Sequence, residues 1–236
     1  TDVPDSPVAR ESEYTLLLGC EREDSNAKTK GYSATLLVLL LLAVHLGYEK
    51  QIVSDEKKAA VLQEIGEQIR EIPDLSEQMK NWCTESNFGD ALKEVYVLGY
   101  GMNFGTAMEG QLKLMETMCI PSMFNDIGEF SHGMHRAITK RSSVLLLQTR
   151  SSLAELAEKT FHYLKRIAGH VWMLDASGKT DEEEGRILIK AYPLTQSLLL
   201  MTLAIQVLSV FAPEQVGKDP NRDANDSFTE VAHTRM

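Results

Sequence analysis

Residues 95–132 read VYVLGYGMNFGTAMEGQLKLMETMCIPSMFNDIGEFSH. Val95–Gly99 is a continuous run of strand formers, the right length for one buried strand. Gly99, Gly101 and Gly105 mark a turn after it. From Gly105 to Ile120 the spacing predicts a helix, with Leu112, Met115 and Cys119 as its apolar stripe. Glu109, Lys113 and Glu116 stand at i, i+4 and i+7 and share a neighbouring face. His132 follows sixteen residues after Glu116. An ammonium beside a carboxylate keeps it ionised and attracts anionic substrates, so this set suits proton transfer on a small molecule. The same spacing also fits a solvated helix face with one Glu–Lys pair, worth roughly 0.2–0.5 kcal/mol.

Working outward, Ser143–Thr149 and His170–Ala176 read as further strands, with a helix over 152–168 between them and an apolar helix over 194–211 after Arg186–Ala191. Continuous apolar strands alternating with helices predict a parallel sheet covered on both faces. Ligands of such sheets bind beyond the carboxyl ends of the strands, here near Gly99–Gly105. Upstream, Tyr14–Gly19 reads as a short strand and Thr35–Leu46 as a buried helix, too short to span a bilayer. Asp55–Ile72 has helical spacing that Pro73 is expected to end, with one or two helices over 75–94. The segment from Pro213 is polar.

Composition narrows the function. The net charge of −10 and the lack of a basic stripe argue against nucleic acid as a partner. The three cysteines, Cys20, Cys83 and Cys119, have no metal or redox spacing and read as reduced thiols of a cytoplasmic protein. No signal-peptide pattern opens the sequence and no membrane association is expected. The glycine spacing of 99–105 is wrong for a dinucleotide fingerprint. Glu129, His132 and His135 are a weak metal triplet, and neither metal nor organic cofactor is expected.

AMEGQLKLME (Ala107–Glu116) followed by GEFSH (Gly128–His132) resembles the second half of the sugar-isomerase (SIS) fold, as in the isomerase domain of glucosamine-6-phosphate synthase. CEREDSNAKTKGYSATLLVLLLLA (Cys20–Ala43) resembles the segment where a glutamate and then Thr-Lys open the last helix of the first SIS half. The resemblance implies an α/β, three-layer αβα, flavodoxin-like fold with two SIS subdomains, the first incomplete at its amino end. Its expected divisions are residues 1–47 (end of the first subdomain), 48–92 (connecting helices), 93–212 (second subdomain) and 213–236 (a tail near the active site). The Ser/Thr loops that hold the sugar phosphate in this family would lie upstream of Thr1.

The resemblance assigns Glu116 as the base that moves a proton between neighbouring sugar carbons. His132 would be supplied by the other subunit, which implies a homodimer with composite sites. Glu109, Lys113, Asn26 and Asp226 would line the substrate pocket. The synthase carries a lysine near its terminus that handles the open-chain sugar, whereas this sequence has none after Lys218. That difference points to the family's deglycases, which cleave phosphorylated Amadori compounds to a hexose phosphate and an amine. The alternatives are an aldose–ketose aminosugar-phosphate isomerase and a non-catalytic sugar-phosphate sensor.

Overall fold

A computed structural model describes residues 1–222, 224, 225 and 227–232. Strands β1 (Glu94–Gly99), β2 (Ser122–Asp126), β3 (Ser142–Thr149), β4 (His170–Ala176) and β5 (Arg186–Leu188) form one parallel sheet ordered β2-β1-β3-β4-β5. The order reverses between β1 and β3, the switch point of a flavodoxin-like doubly wound sheet. β3 is buried along its whole length, as its unbroken apolar run requires. The edge strand β2, whose SMFND carries no alternation, is half-buried throughout and was not expected as a strand. Pairing with β1, not its own composition, makes it one.

Helices α5 (Asn103–Met118) and α7 (Ala154–Ile167) cover opposite faces of the sheet, and α8 (Leu198–Gln215) packs with α5. Leu145 and Leu147 face α5 and α8; Val144 and Leu146 face Phe161 and Leu164 of α7. α8 is apolar on nearly every side because the sheet, α5 and α3 (Asp55–Glu85) surround it. Pro73, expected from the sequence to end this helix, lies inside it: α3 runs unbroken for 31 residues in all. An interior proline costs about 3 kcal/mol through its missing N–H. Buried Ile65 and Gln68 before it, and Leu75, Met79 and Cys83 after it, keep the helix continuous because they line one docking face. Gln68 fastens this face to the start of α8, donating to Thr195 Oγ1 (2.7 Å) and accepting from Leu199 N (3.2 Å). At the far end of α3, Trp82 packs on Phe88 of α4 (Phe88–Ala91) and on Trp172 of β4.

The amino-terminal region departs from expectation twice. Tyr14–Gly19 is not a strand. Thr1 N donates to Leu16 O (3.2 Å) and Leu18 N to Thr1 O (3.1 Å), which hold this segment beyond α1 (Pro7–Glu11). The apolar run 35–46 lies in α2 (Lys30–Glu49), whose twenty residues reach spanning length; the run read alone looked too short. Nor is α2 a buried helix. It buries Val44 against Val61 and Ile65 of α3 and Leu199 of α8, while Leu39, Leu42 and Leu46 are exposed.

Candidate active site

Two glycines set the position of α5. Gly101 has φ +58°, a left-handed conformation that favours glycine, and a Cβ there would lie 2.9 Å from Gln196 Oε1 and displace that amide. A Cβ on Gly110 would approach Ile205 Cδ1 to 2.8 Å, so α5 lies tight against α8. This contact turns Ala107, Gly110, Leu114 and Met118 inward and carries the charged face along with them.

Glu109 and Lys113 are therefore buried (8% and 5% exposed), not a solvated pair, whereas the Glu116 side chain is 40% exposed. Lys113 Nζ stands 3.3 Å from Glu109 Oε1 and 3.5 Å from Glu116 Oε2. The contact with Glu109 Oε1 lacks hydrogen-bond alignment, leaving that buried oxygen without a hydrogen bond. Burial pushes the Glu109 pKa up, Lys113 opposes the rise, and the charge of Glu116 adds to it. Burial and the Glu109 charge also raise the phenol of Tyr32 on α2.

Glu116 opens into a cavity of about 400 Å³. Met115, Cys119 and Ile120 form its wall beside α5. Asn26 and Ala27 form a second wall, and Pro220, Arg222, Ala224 and Asn225 of the tail close it. Asn26 joins the two non-helical walls, its N donating to Asn221 Oδ1 (3.1 Å) and its Nδ2 to Asn221 O (2.8 Å). Asn26 and Glu116, more than eighty residues apart, thus share one cavity. Glu109 and Lys113 do not line it and reach it only through Glu116. Asp226 lies outside the described residues.

His132 is elsewhere. It is exposed beyond the short α6 (Ile127–Phe130), its N donating to Glu129 O (3.0 Å). α5 runs antiparallel to the strands, so Glu116 in its last turn stands beside the start of β2, while His132 lies past its end. The five residues of β2 alone span about 17 Å. The two residues therefore do not meet within one chain. The cavity also lies at the amino ends of the strands, not at the carboxyl ends where the sequence placed it. Among the described residues no group of three His, Cys, Asp or Glu could hold a metal, Glu129, His132 and His135 included.

Reading residue types alone left out Glu23. Its carboxylate accepts from the backbone N of Thr29 (2.8 Å), Lys30 (3.0 Å) and Gly31 (2.9 Å), capping α2 beside Asn26. Burial would raise its pKa, but these N–H groups and the Thr29 hydroxyl hold it at about 2. The signal was the glutamate six residues before Thr29-Lys30. Arg222 was also missed, because its place in the cavity depends on how the tail returns.

Residues 91–209 match the SIS domain model. The chain is 30% identical over 234 residues to a glutamine–fructose-6-phosphate aminotransferase (isomerizing) of Symbiobacterium thermophilum, a match over 95% of this chain and 37% of that protein. It thus spans little more than a third of that relative. A protein described as a phosphosugar isomerase from Clostridium difficile superposes with a TM-score of 0.85 at 26% identity, covering 98% of this chain and 65% of that one. The C-terminal domain of glucosamine-fructose-6-phosphate aminotransferase from Francisella tularensis shares the fold, with a TM-score of 0.77 over 94% of this chain and 63% of that one at 19% identity. Sheet order, the AMEGQLKLME helix and these matches agree: the chain belongs to the SIS domain family, with a phosphosugar-isomerase-like fold.

Proposed function

We propose that this protein is a cytoplasmic sugar-phosphate deglycase that cleaves a phosphorylated Amadori compound to hexose 6-phosphate and a free amine. The observation that carries the reading is Glu116, half-exposed at a cavity whose tail wall, among the described residues, is Pro220, Arg222, Ala224 and Asn225, with no amine. In the open-chain ketoamine, Glu116 removes a proton from C1 and the C1–C2 enaminol forms. A proton returned to C2 leaves an imine at C1. Water adds to that carbon, the C–N bond breaks, and aldose and amine depart. The amine is already part of the substrate, so no protein lysine has to form an imine. Lys113 Nζ, 3.5 Å from Glu116 Oε2, holds that carboxylate at the edge of the cavity.

The separation of Glu116 from its own His132 supports a homodimer in which each cavity receives the histidine of the second copy, to act on the ring oxygen or the leaving amine. Free Cys20, Cys83 and Cys119 fit a reducing compartment. The two-subdomain organisation with divisions near residues 47, 92 and 212 is part of the same proposal. The aminosugar-phosphate isomerase reading is favoured by one observation, the 30% identity to an aminotransferase that is itself isomerizing.

A coupled assay for glucose 6-phosphate released from fructosyl-amino-acid 6-phosphates, using the intact gene product, tests the proposal. Glu116→Gln is expected to lower turnover at least about a hundredfold. Glucosamine 6-phosphate formed from fructose 6-phosphate and ammonia, with no deglycation, would establish the isomerase instead. Mixing Glu116→Gln with His132→Ala chains tests the composite site. Each mixed dimer holds one intact Glu116–His132 pair, so random exchange restores about a quarter of wild-type activity. No recovery would place both groups in one subunit.

A further inference from the structure

One charge in the cavity has no part in the proton transfer. Arg222 is half-buried in the tail wall, and among the described residues its guanidinium has neither an ion pair nor a hydrogen bond. Its backbone is held on both sides: Arg222 N donates to Asp219 O (3.1 Å), and Arg222 O accepts from Asn26 Nδ2 (3.5 Å). Across the cavity, the Glu116 carboxylate is engaged by Lys113. The space thus has a proton-transfer group on α5, a free fork of N–H donors on the tail, and the apolar side chains of Met115, Ile120 and Ala27 between them.

A substrate that fits carries its reacting carbon near Glu116 and an anion some distance away on an apolar stem. A guanidinium pairs bidentately with a carboxylate or a phosphate. A phosphate dianion is commonly held by several backbone amides and hydroxyls as well, and among the described residues no serine or threonine lines this cavity, which favours the carboxylate. On the deglycase reading, we infer that Arg222 binds the carboxylate of the substrate's amino-acid part, so that glycated amino acids are selected over glycated simple amines. Arg222 is then a specificity residue, acting on the leaving group and not on the sugar.

The experiment compares a fructosyl-amino-acid 6-phosphate with its carboxamide on the full-length protein, wild type and Arg222→Ala. One charge-assisted contact corresponds to a loss of about 10- to 150-fold in kcat/KM for the carboxylate substrate, mainly through KM. The carboxamide should change less than about threefold by the same scale, and Arg222→Lys should restore part of the preference. Equal losses on both substrates would overturn the inference and give Arg222 a structural role. Weaker inhibition of Arg222→Ala by glucose 6-phosphate would also overturn it, by assigning Arg222 to the sugar phosphate. If the wild type cleaves neither compound, the deglycase reading fails on its own. Calorimetric titration with the reduced, uncleavable glucitol-amino-acid 6-phosphate and its amide then decides the inference: a carboxylate preference abolished in Arg222→Ala upholds it, and no preference in the wild type overturns it.

Discussion

Lys113 and Arg186 are both buried cations facing several carboxylates, and their surroundings differ in how completely those carboxylates are satisfied. Arg186, its side chain 4% exposed, pairs with Asp175, with Glu158 Oε2 at 2.7 Å and with Glu183 Oε2 at 3.0 Å. Lys179 adds a second cation to Glu158 and Lys165 a second to Glu183, while Gln148 Nε2 donates to Glu158 Oε1 (3.2 Å). The Arg186 guanidinium holds the Glu158 carboxyl at about 2 despite its burial. This cluster clamps the loop between β4 and β5 to α7. Lys113 divides itself between two carboxylates at longer range, and Glu109 keeps a raised pKa. A saturated ion cluster fixes geometry. An under-satisfied one beside a cavity keeps groups whose protonation can change, which is the property a reacting site requires.

The largest expected effect that separates the two clusters is on stability. Arg186→Met leaves buried Asp175 without its cation and strips Glu158 of one of two, and should cost about 3–5 kcal/mol in urea unfolding, with turnover per folded molecule unchanged. Lys113→Met should cost less, about 1–3 kcal/mol, because Glu109 can take up a proton, yet it should lower turnover sharply. Equal unfolding costs for the two variants would break the comparison.

The pH dependence of stability should have opposite signs at the two sites. Glu158, depressed to about 2 from 4.5, contributes stability that is present above 4.5 and lost as pH falls toward 2. Glu109 is raised, so its contribution is complete below 4.5 and is lost as pH rises through its elevated folded value. Glu109→Gln should therefore gain on wild type at pH 8 and lose that gain near pH 5. Glu158→Gln should be weaker at neutral pH, with the deficit shrinking below pH 4.5. Denaturant titrations across pH read both, and a common sign would remove the distinction.

The smallest effect sharpens the contrast with a third carboxylate, one satisfied by backbone. Glu23→Ala removes the α2 cap and should cost about 1–2 kcal/mol, read as a lowered urea midpoint. It should also weaken substrate binding modestly, because Asn26 lies in the loop that Glu23 ties down. Unchanged binding would separate the cap from the cavity.

Strands β1, β3 and β4 were legible because each is buried on both sides and so carries an unbroken apolar run. β2 was not, since an edge strand is defined by its neighbour. The stop at Pro73 was misread because a helix-breaking residue was weighed without the α8 surface on which α3 continues past it. The Glu109–Lys113–Glu116 face followed from helical period alone, but its burial did not, because that depends on how closely Gly110 lets α5 approach α8. Asn26 was named through resemblance, with no local signal of its own, and it lines the same cavity as Glu116.

Local pattern, in the end, determined the parallel α/β class, the helix bearing three charges in register and the lack of a basic stripe along the sequence, because periodicity and charge are properties of neighbours along the chain. Tertiary structure decided which of those charges are buried, that Arg222 and Asn26 face Glu116, and that His132 lies at the other end of the sheet. Those depend on how segments far apart in sequence pack together, and a contact across the fold leaves no trace in the spacing of either partner.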